Sequence, residues 1–390
     1  MGWDDAVINA GKLENLQNDP GASPSGAAEE FRGLVALPGL VLQSGRTLPG
    51  AVHAYARYGE LNETRDNVVL LCHALTGSHH VAGTNVPGLP GAWWDALVGP
   101  HRALDTSRYC VFCFNILGSP YGSTSPVSPV PETGVPYGMH FPVITVRDMV
   151  EAQRIALEQL GVRRIAAVVG GSLGGMQALE WLLFHPDRVD RCAVVAAPWR
   201  LYPQAIAFNE VQRQAIMADP AWQGGAYPPG EGPRKGLSVA RMLAMITYRS
   251  EQVFVDRWMR SVARGNPLEW EGQFQVESYL HHQGESLVRR FDANCYLYLS
   301  RAMDLHDAGE GRSPEFLRNA LAGKHLLAVG IGSDLLFPNW QVEELSRIAA
   351  DWGAHATYEE IESDHGHDAF LIDVDQVDEI LRRFWRSSGL

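Results

Sequence analysis

The chain alternates between short runs that are apolar throughout and longer stretches where apolar residues recur every three or four positions. Two β-like runs come first, Leu34 to Leu42 and Ala51 to Tyr58, separated by Gly45 and Pro49-Gly50. Those turn residues predict an antiparallel start. Asn67 to His73 (NVVLLCH), Tyr109 to Asn115, Ile165 to Val169, Cys192 to Ala197 and His325 to Ile331 are continuous apolar runs. Such runs belong to strands covered on both faces, as in a parallel sheet. Helical spacing falls over Thr145 to Leu160, which Gly161 ends, and over Met176 to Phe184, Gln341 to Trp352 and Asp375 to Arg386. Ala356 to Ile361 reads as a last short strand, and Trp93-Trp94 to Val98 as a short amphipathic stretch. Strand–helix alternation of this kind predicts the α/β class with a mostly parallel central sheet.

The pattern changes between Trp199 and about Ser300. Helical spacing dominates there, over Gln204 to Met217, Ser238 to Thr247, Val253 to Arg264 and Tyr296 to Met303, with Gly224 to Gly236 as a break. No buried strand is evident in this part. The predicted organisation is a flexible arm over residues 1–30, a sheet domain over 31–198 and 304–390, and a helical lid over 199–303 inserted into it. A long Gly/Pro/Ser-rich loop, Gly118 to Pro142, is expected to shape the mouth of a site, because long structureless loops in compact domains are usually functional.

Composition narrows the class. The chain is 46% hydrophobic, enough for a sizeable core. No apolar run approaches the roughly 20 residues of a membrane helix, and Met1 to Glu30 lacks the pattern of a signal peptide. A soluble, cytoplasmic protein is the expectation. A net charge of -13 argues against nucleic acid and anionic membranes as partners. The five cysteines read as reduced core thiols. Cys110 and Cys113 form C-x-x-C, but strand alternation puts them on opposite faces, which does not suit zinc. No metal site is expected.

The chemistry starts at Gly170-Gly171-Ser172-Leu173-Gly174, a G-x-S-x-G between an apolar run and a helical pattern. In that context the motif is a nucleophile elbow: the serine sits at the tip of a sharp turn, and the flanking glycines let strand and helix pass closely. The amide of Leu173, at the helix start, can then face an oxyanion. In an α/β-hydrolase the loop after the preceding central strand supplies a second amide, here that of Leu75 in His73-Ala74-Leu75-Thr76-Gly77. Serine needs a base and the base an acid, in the order Ser, Asp, His. Asp334 follows the run ending at Ile331. His365 and His367 follow the run ending at Ile361, so Asp334 and one of these histidines are placed to meet Ser172. Asp364 reads as an exposed loop acid, and the doublets His79-His80 and His281-His282 read as surface.

These residues lie within blocks that resemble the homoserine O-acetyltransferase family, acyl-CoA-dependent enzymes of methionine biosynthesis. The blocks are HALTG from His73, NILGSPYGSTS from Asn115, Pro131-Glu132-Thr133-Gly134 with Pro136-Tyr137-Gly138, and Phe141-Pro142 to Arg147-Asp148-Met149. They continue with GGSLGGMQALEW from Gly170, Ala240-Arg241-Met242 with Thr247-Tyr248-Arg249-Ser250, Ser300 to Asp304, Asp334 with Pro338, and GHDAFL from Gly366. The resemblance implies an α/β-hydrolase fold with a helical lid through which two subunits dimerise. It implies Ser172 as nucleophile, Asp334 as acid and His367 rather than His365 as base. It further implies that Arg241 grips the carboxylate of homoserine and Asp368 its amine, with acetyl-CoA as co-substrate and no bound cofactor. The same triad serves a succinyl donor, a serine acceptor or, in an esterase, water. Lid cations such as Arg234 and Lys235 are candidates for holding CoA.

Overall fold

The computed structural model describes residues 30–390. The predicted arm over 1–29 lies outside the described residues. Glu30, placed in the arm by the sequence pattern, already begins the first strand, where its carboxylate accepts a hydrogen bond of 3.1 Å from the Tyr58 hydroxyl.

In chain order the elements of the first half are β1 (Glu30–Ala36), β2 (Val52–Tyr58), β3 (Val68–Cys72), the two-residue strands β4 (Val98–Gly99) and β5 (Leu104–Asp105), β6 (Cys110–Phe114), α1 (Val146–Gln159), β7 (Ala167–Gly171), α2 (Leu173–Phe184) and β8 (Arg191–Val195). Next come α3 (Pro203–Met217), α4 (Arg234–Tyr248), α5 (Glu251–Trp258), the hairpin strands β9 (Val262–Arg264) and β10 (Gln273–Phe274), α6 (Gln275–Val288) and α7 (Ala293–Asp304). The chain closes with α8 (Pro314–Leu321), β11 (His325–Ile331), α9 (Asn339–Asp351), β12 (His355–Ile361), α10 (Ala369–Ile372) and α11 (Val374–Ser388).

Eight strands form one sheet in the order β1-β2-β6-β3-β7-β8-β11-β12. β2 pairs antiparallel with both neighbours, and the other pairings are parallel. The inner parallel strands β3, β6, β7, β8 and β11 are largely apolar because both faces are covered, whereas the edge strand β12 carries His355, Glu359 and Glu360. Val68, Leu70 and Cys72 of β3 enter the core shared with α1, α2 and α9, while Val69 and Leu71 enter the one shared with α11. Cys110 and Cys113 divide between the two cores in the same way, and all five cysteines are buried free thiols.

Local signals account for most boundaries. Thr145 and Asp148 close a capping box at the start of α1. On α11, Val377, Ile380, Leu381 and Phe384 form one buried stripe at helical spacing. Three expectations need correcting. The β-like run Leu34 to Leu42 is a strand only as far as Ala36; Leu37 to Leu42 form turns and an isolated bridge between Val41 and Thr47. The helix predicted over Val253 to Arg264 stops at Trp258; Met259 adopts φ 42° and the chain turns into the exposed hairpin β9–β10. The amphipathic stretch from Trp93 to Val98 forms a turn leading into β4 that buries Trp94, Leu97 and Val98 and leaves Asp95 and Ala96 exposed; the Trp94 indole N–H donates to Phe370 O at 2.9 Å. Helices α6 and α8 lie outside the predicted elements: α6 carries too little apolar periodicity, while α8, which buries Leu317, Ala320 and Leu321 at helical spacing, is only eight residues long. The His79-His80 doublet is buried, not on the surface, because its loop folds under the N-terminal strands.

Between β8 and β11, α4 packs on α3 and α6, and its end meets the short turn Gly366–Asp368. Buried residues of this segment, including Ile216, Leu237, Ala240 and Tyr296, join the core that also covers one face of the sheet. Among the described residues no helix is long and apolar enough to cross a membrane.

Candidate active site

The parallel strands all end on one edge of the sheet, and the candidate residues collect there. Ser172 lies between β7 and α2 with φ 57° and ψ -126°, a backbone conformation costly for a residue with a Cβ. The cost is tolerated because the surroundings determine the turn. The Ser172 N–H donates to Val195 O at 2.9 Å. At Gly170 a Cβ would overlap the Gly174 carbonyl, and at Gly174 one would overlap Cys72 O. The glycines of the motif are thus required by backbone passing backbone.

Asp334 follows β11 by three residues, and His367 follows β12 in the Gly366–Asp368 turn. His367 Nε2 is 2.9 Å from Ser172 Oγ, and His367 Nδ1 is 2.7 Å from Asp334 Oδ2. The Asp334 carboxylate also accepts the amides of Leu336 and Phe337 at 2.8 and 2.9 Å. This network fits a neutral imidazole that donates from Nδ1 to Asp334 and accepts at Nε2 from the serine hydroxyl. All three side chains are buried. Rings of Tyr248, Phe337 and Phe370 surround the imidazole at 5.5, 5.1 and 5.8 Å between centroids. Burial works against the charged imidazole, but the charge and hydrogen bond of Asp334, with a further contribution from Asp368, raise its pKa above the usual 6.5.

His365 points elsewhere. Its Nδ1 is 3.0 Å from Asp373, and it is partly exposed. The geometry therefore separates two histidines that spacing alone left equivalent. Asp364 is exposed and so is the His281-His282 doublet, as expected.

Leu75 lies in the turn after β3, which the Gly77 N–H closes onto Ala74 O at 3.0 Å. Leu173 is the first residue of α2. Among the described residues neither amide donates to a protein acceptor. Two free amides, one on the residue after the buried serine and one in the turn after the neighbouring strand β3, are groups of the kind that can stabilise an oxyanion.

Arg241 lies on α4 with its guanidinium over the Tyr248 ring, 5.5 Å from the centroid. Among the described residues it has no carboxylate partner. Arg249, the rival cation, is engaged: its Nη2 is 3.3 Å from Asp368 Oδ2. The segment holding Tyr248, Arg249 and Ser250 is seated on the His367 turn. The Ser250 hydroxyl donates to Asp364 O, and a Cβ at Gly366 (φ 68°) would meet Tyr248 O at 2.7 Å and Ser250 N at 2.8 Å. Arg234 and Lys235 are exposed on the first turn of α4.

Two site neighbours were not singled out from the sequence. Tyr248 stood inside a matching block but had no assigned role. Arg290 had no signal at all, since nothing in the local pattern distinguishes it from the exposed Arg289.

A nucleophile elbow at the end of a central parallel strand, with acid and base after later strands, defines an α/β hydrolase. Residues 67–374 match the family model described as alpha/beta hydrolase fold. The homoserine O-acetyltransferase of Moorella thermoacetica is 51% identical over 350 residues, 88% of this chain and 93% of that protein. The crystal structure of homoserine O-acetyltransferase from Bacillus anthracis superposes with a TM-score of 0.84 at 30% identity, covering 91% of this chain and 97% of that one. An esterase structure superposes equally well, TM-score 0.84, at 27% identity, covering 91% of this chain and 100% of that one. The chain belongs to the homoserine O-acetyltransferase family.

Proposed function

We propose that this protein transfers an acetyl group from acetyl-CoA to the hydroxyl of L-homoserine through a covalent acetyl-serine, as a step in methionine biosynthesis. His367 takes the Ser172 proton as Oγ attacks the thioester carbonyl. The amides of Leu75 and Leu173 stabilise the tetrahedral oxyanion. The C–S bond breaks, His367 returns its proton to the CoA thiolate, and CoA leaves. The homoserine hydroxyl then gives its proton to His367 and attacks the acetyl-serine carbonyl. Collapse expels Ser172, which recovers the proton from His367. Asp334 holds the imidazole in the tautomer both steps need.

The observation that carries this reading over a plain esterase is the charge arrangement around the triad. Arg241 is a guanidinium without a carboxylate partner among the described residues, and Asp368 stands next to the base in sequence. A cation for the α-carboxylate and an anion for the α-amine would orient an amino-acid alcohol so that its hydroxyl meets His367. An ester hydrolase needs neither. The segment 199–303 would act as the lid that keeps water from the acetyl-serine. Dimerisation through this lid and a cytoplasmic location belong to the same reading.

Incubation with acetyl-CoA or succinyl-CoA, each with homoserine or serine, tests it. Release of CoA and the mass of acetylhomoserine are expected for the first pair. No CoA release with any pair would overturn the transferase reading. Fast ester hydrolysis without CoA turnover would favour the esterase.

A further inference from the structure

Arg290 stands just beyond α6 and reaches across to the sheet edge. Its Nη1 donates to Thr76 O at 2.8 Å and to the Tyr121 hydroxyl at 2.6 Å. Among the described residues it has no carboxylate partner. A part-buried guanidinium without a counter-ion carries a desolvation cost that two neutral acceptors only partly offset. A surface arginine would avoid that cost by turning to solvent, so the position calls for a purpose.

Its partners supply one. Thr76 directly follows Leu75, whose amide is a proposed oxyanion donor. The turn Ala74–Gly77 is held at its other carbonyl by His73, whose Nδ1 lies 2.8 Å from Ala74 O while Nε2 accepts the Ile116 amide at 3.0 Å. Burial pushes the His73 imidazole down to about 4, so this brace is neutral and constant in the working range. Tyr121 belongs to the long loop Gly118 to Pro142, and its ring meets Phe291, the residue after Arg290, edge-on at 5.8 Å. Arg290 thus ties three separate segments together: the end of α6, the turn after β3 and the long loop.

We propose that Arg290 is a positioning residue that sets the direction of the Leu75 amide, coupling the α6 segment to the oxyanion site. This rests on the reading of Ser172 as nucleophile and Leu75 as oxyanion donor. The Leu75 N–H shares its peptide plane with the Ala74 carbonyl that His73 holds, and Arg290 anchors the Thr76 carbonyl at the far end of the turn, so the backbone between the two anchors has little freedom to swing that plane round. A preoriented amide needs no reorganisation when charge develops. Because both half-reactions pass through an oxyanion at the same carbonyl, Arg290 affects both alike.

The test uses p-nitrophenyl acetate with the intact protein, which involves neither CoA nor an amino-acid acceptor. Absence of homoserine transfer would therefore overturn the transferase reading while this measurement still stood. Arg290→Met removes the donors and keeps the stem. The expected result is a fall of about 10- to 100-fold in both the acylation rate constant and the rate of acetyl-enzyme breakdown, with the amount of titratable serine unchanged. Arg290→Lys keeps a donor for Thr76 O and recovers part of the rate. A merely structural role would lower the amount of titratable serine and leave the rate constants of the remainder intact. That result, or a rise in donor KM alone, would overturn the proposal. A wild-type protein that p-nitrophenyl acetate does not acylate at Ser172 would overturn both this proposal and the serine reading.

Discussion

Arg249 Nη2 lies 3.3 Å from Asp368 Oδ2, so the carboxylate next to His367 has a cation of its own before any substrate arrives. The pair joins the end of α4 to the turn that carries the histidine. It also engages Arg249, so that of the two cations only Arg241 is without a carboxylate partner among the described residues.

This pair should be visible in the pH dependence. His367 must be neutral to accept the serine proton, so acylation rises with pH through its pKa, which lies above 6.5. Burial lowers that pKa, while Asp334 and then Asp368 raise it by more. Asp368→Asn should shift the acid limb of kcat/KM to lower pH. Arg249→Gln, by leaving the Asp368 charge uncovered, should shift it to higher pH. Shifts in the same direction would contradict the electrostatic account. The linked effect on stability has a definite sign. A raised histidine pKa contributes stability that is fully present below the unfolded value and is lost as pH rises through the folded value. For this group alone, thermal stability therefore falls with pH across that window.

Arg241→Met should raise the homoserine KM by on the order of tenfold to a hundredfold, the cost of one charge-assisted hydrogen bond of about 1.5–3 kcal/mol. Acetylation of Ser172 by acetyl-CoA should change little. Separate measurement of the two half-reactions checks this, and equal effects on both would remove the carboxylate role.

Gly174→Ala should disrupt folding at the elbow. The added methyl would overlap Cys72 O, a backbone atom in the central sheet that cannot turn aside. A cost of about 3 kcal/mol or more is expected from overpacking of this kind. Thermal melting checks it, and a melt equal to wild type would show that the strand and helix can separate.

Glu180 on α2 is buried and ion-paired with Arg312, with side-chain exposures of 2% and 4%, and Arg147 lies 3.6 Å away. Glu180→Ala should destabilise the protein by about 3–5 kcal/mol, because it leaves the buried Arg312 charge uncompensated. Chemical denaturation measures this. Replacing Glu180 and Arg312 together with apolar residues should cost less than the single change.

The sequence pattern carried the sheet and its helices well because each depends on a local period. The all-apolar runs of β3, β6, β7, β8 and β11 are what a strand covered on both faces demands. The segment between β8 and β11 was less legible. The hairpin β9–β10 is short and exposed, so burial imposed no pattern on it. Helix α6 buries only Gly284 and Leu287 fully, too little to show a periodic stripe. His79 and His80 looked like surface residues because burial of a polar doublet depends on chain segments distant in sequence.

The order of Ser172, Asp334 and the later histidines, and the position of each just after an apolar run, could be read without coordinates because the elbow is a local steric device. Spacing left open which histidine meets Ser172, and only the family resemblance implied His367. His365 and His367 differ by two residues, and only the turn seated under Tyr248 to Ser250 aims one at the serine and the other at Asp373. The same holds for the charges. The sequence determined that Arg241, Arg249 and Arg290 are cations. The tertiary structure decided that Arg249 is paired with Asp368, that Arg241 is without a carboxylate partner among the described residues, and that Arg290 spans to Thr76. The partner of a long charged side chain depends on which backbone and which opposite charge the fold brings within a few ångströms, and residues as far apart in the chain as Thr76 and Arg290 become neighbours only when the fold closes.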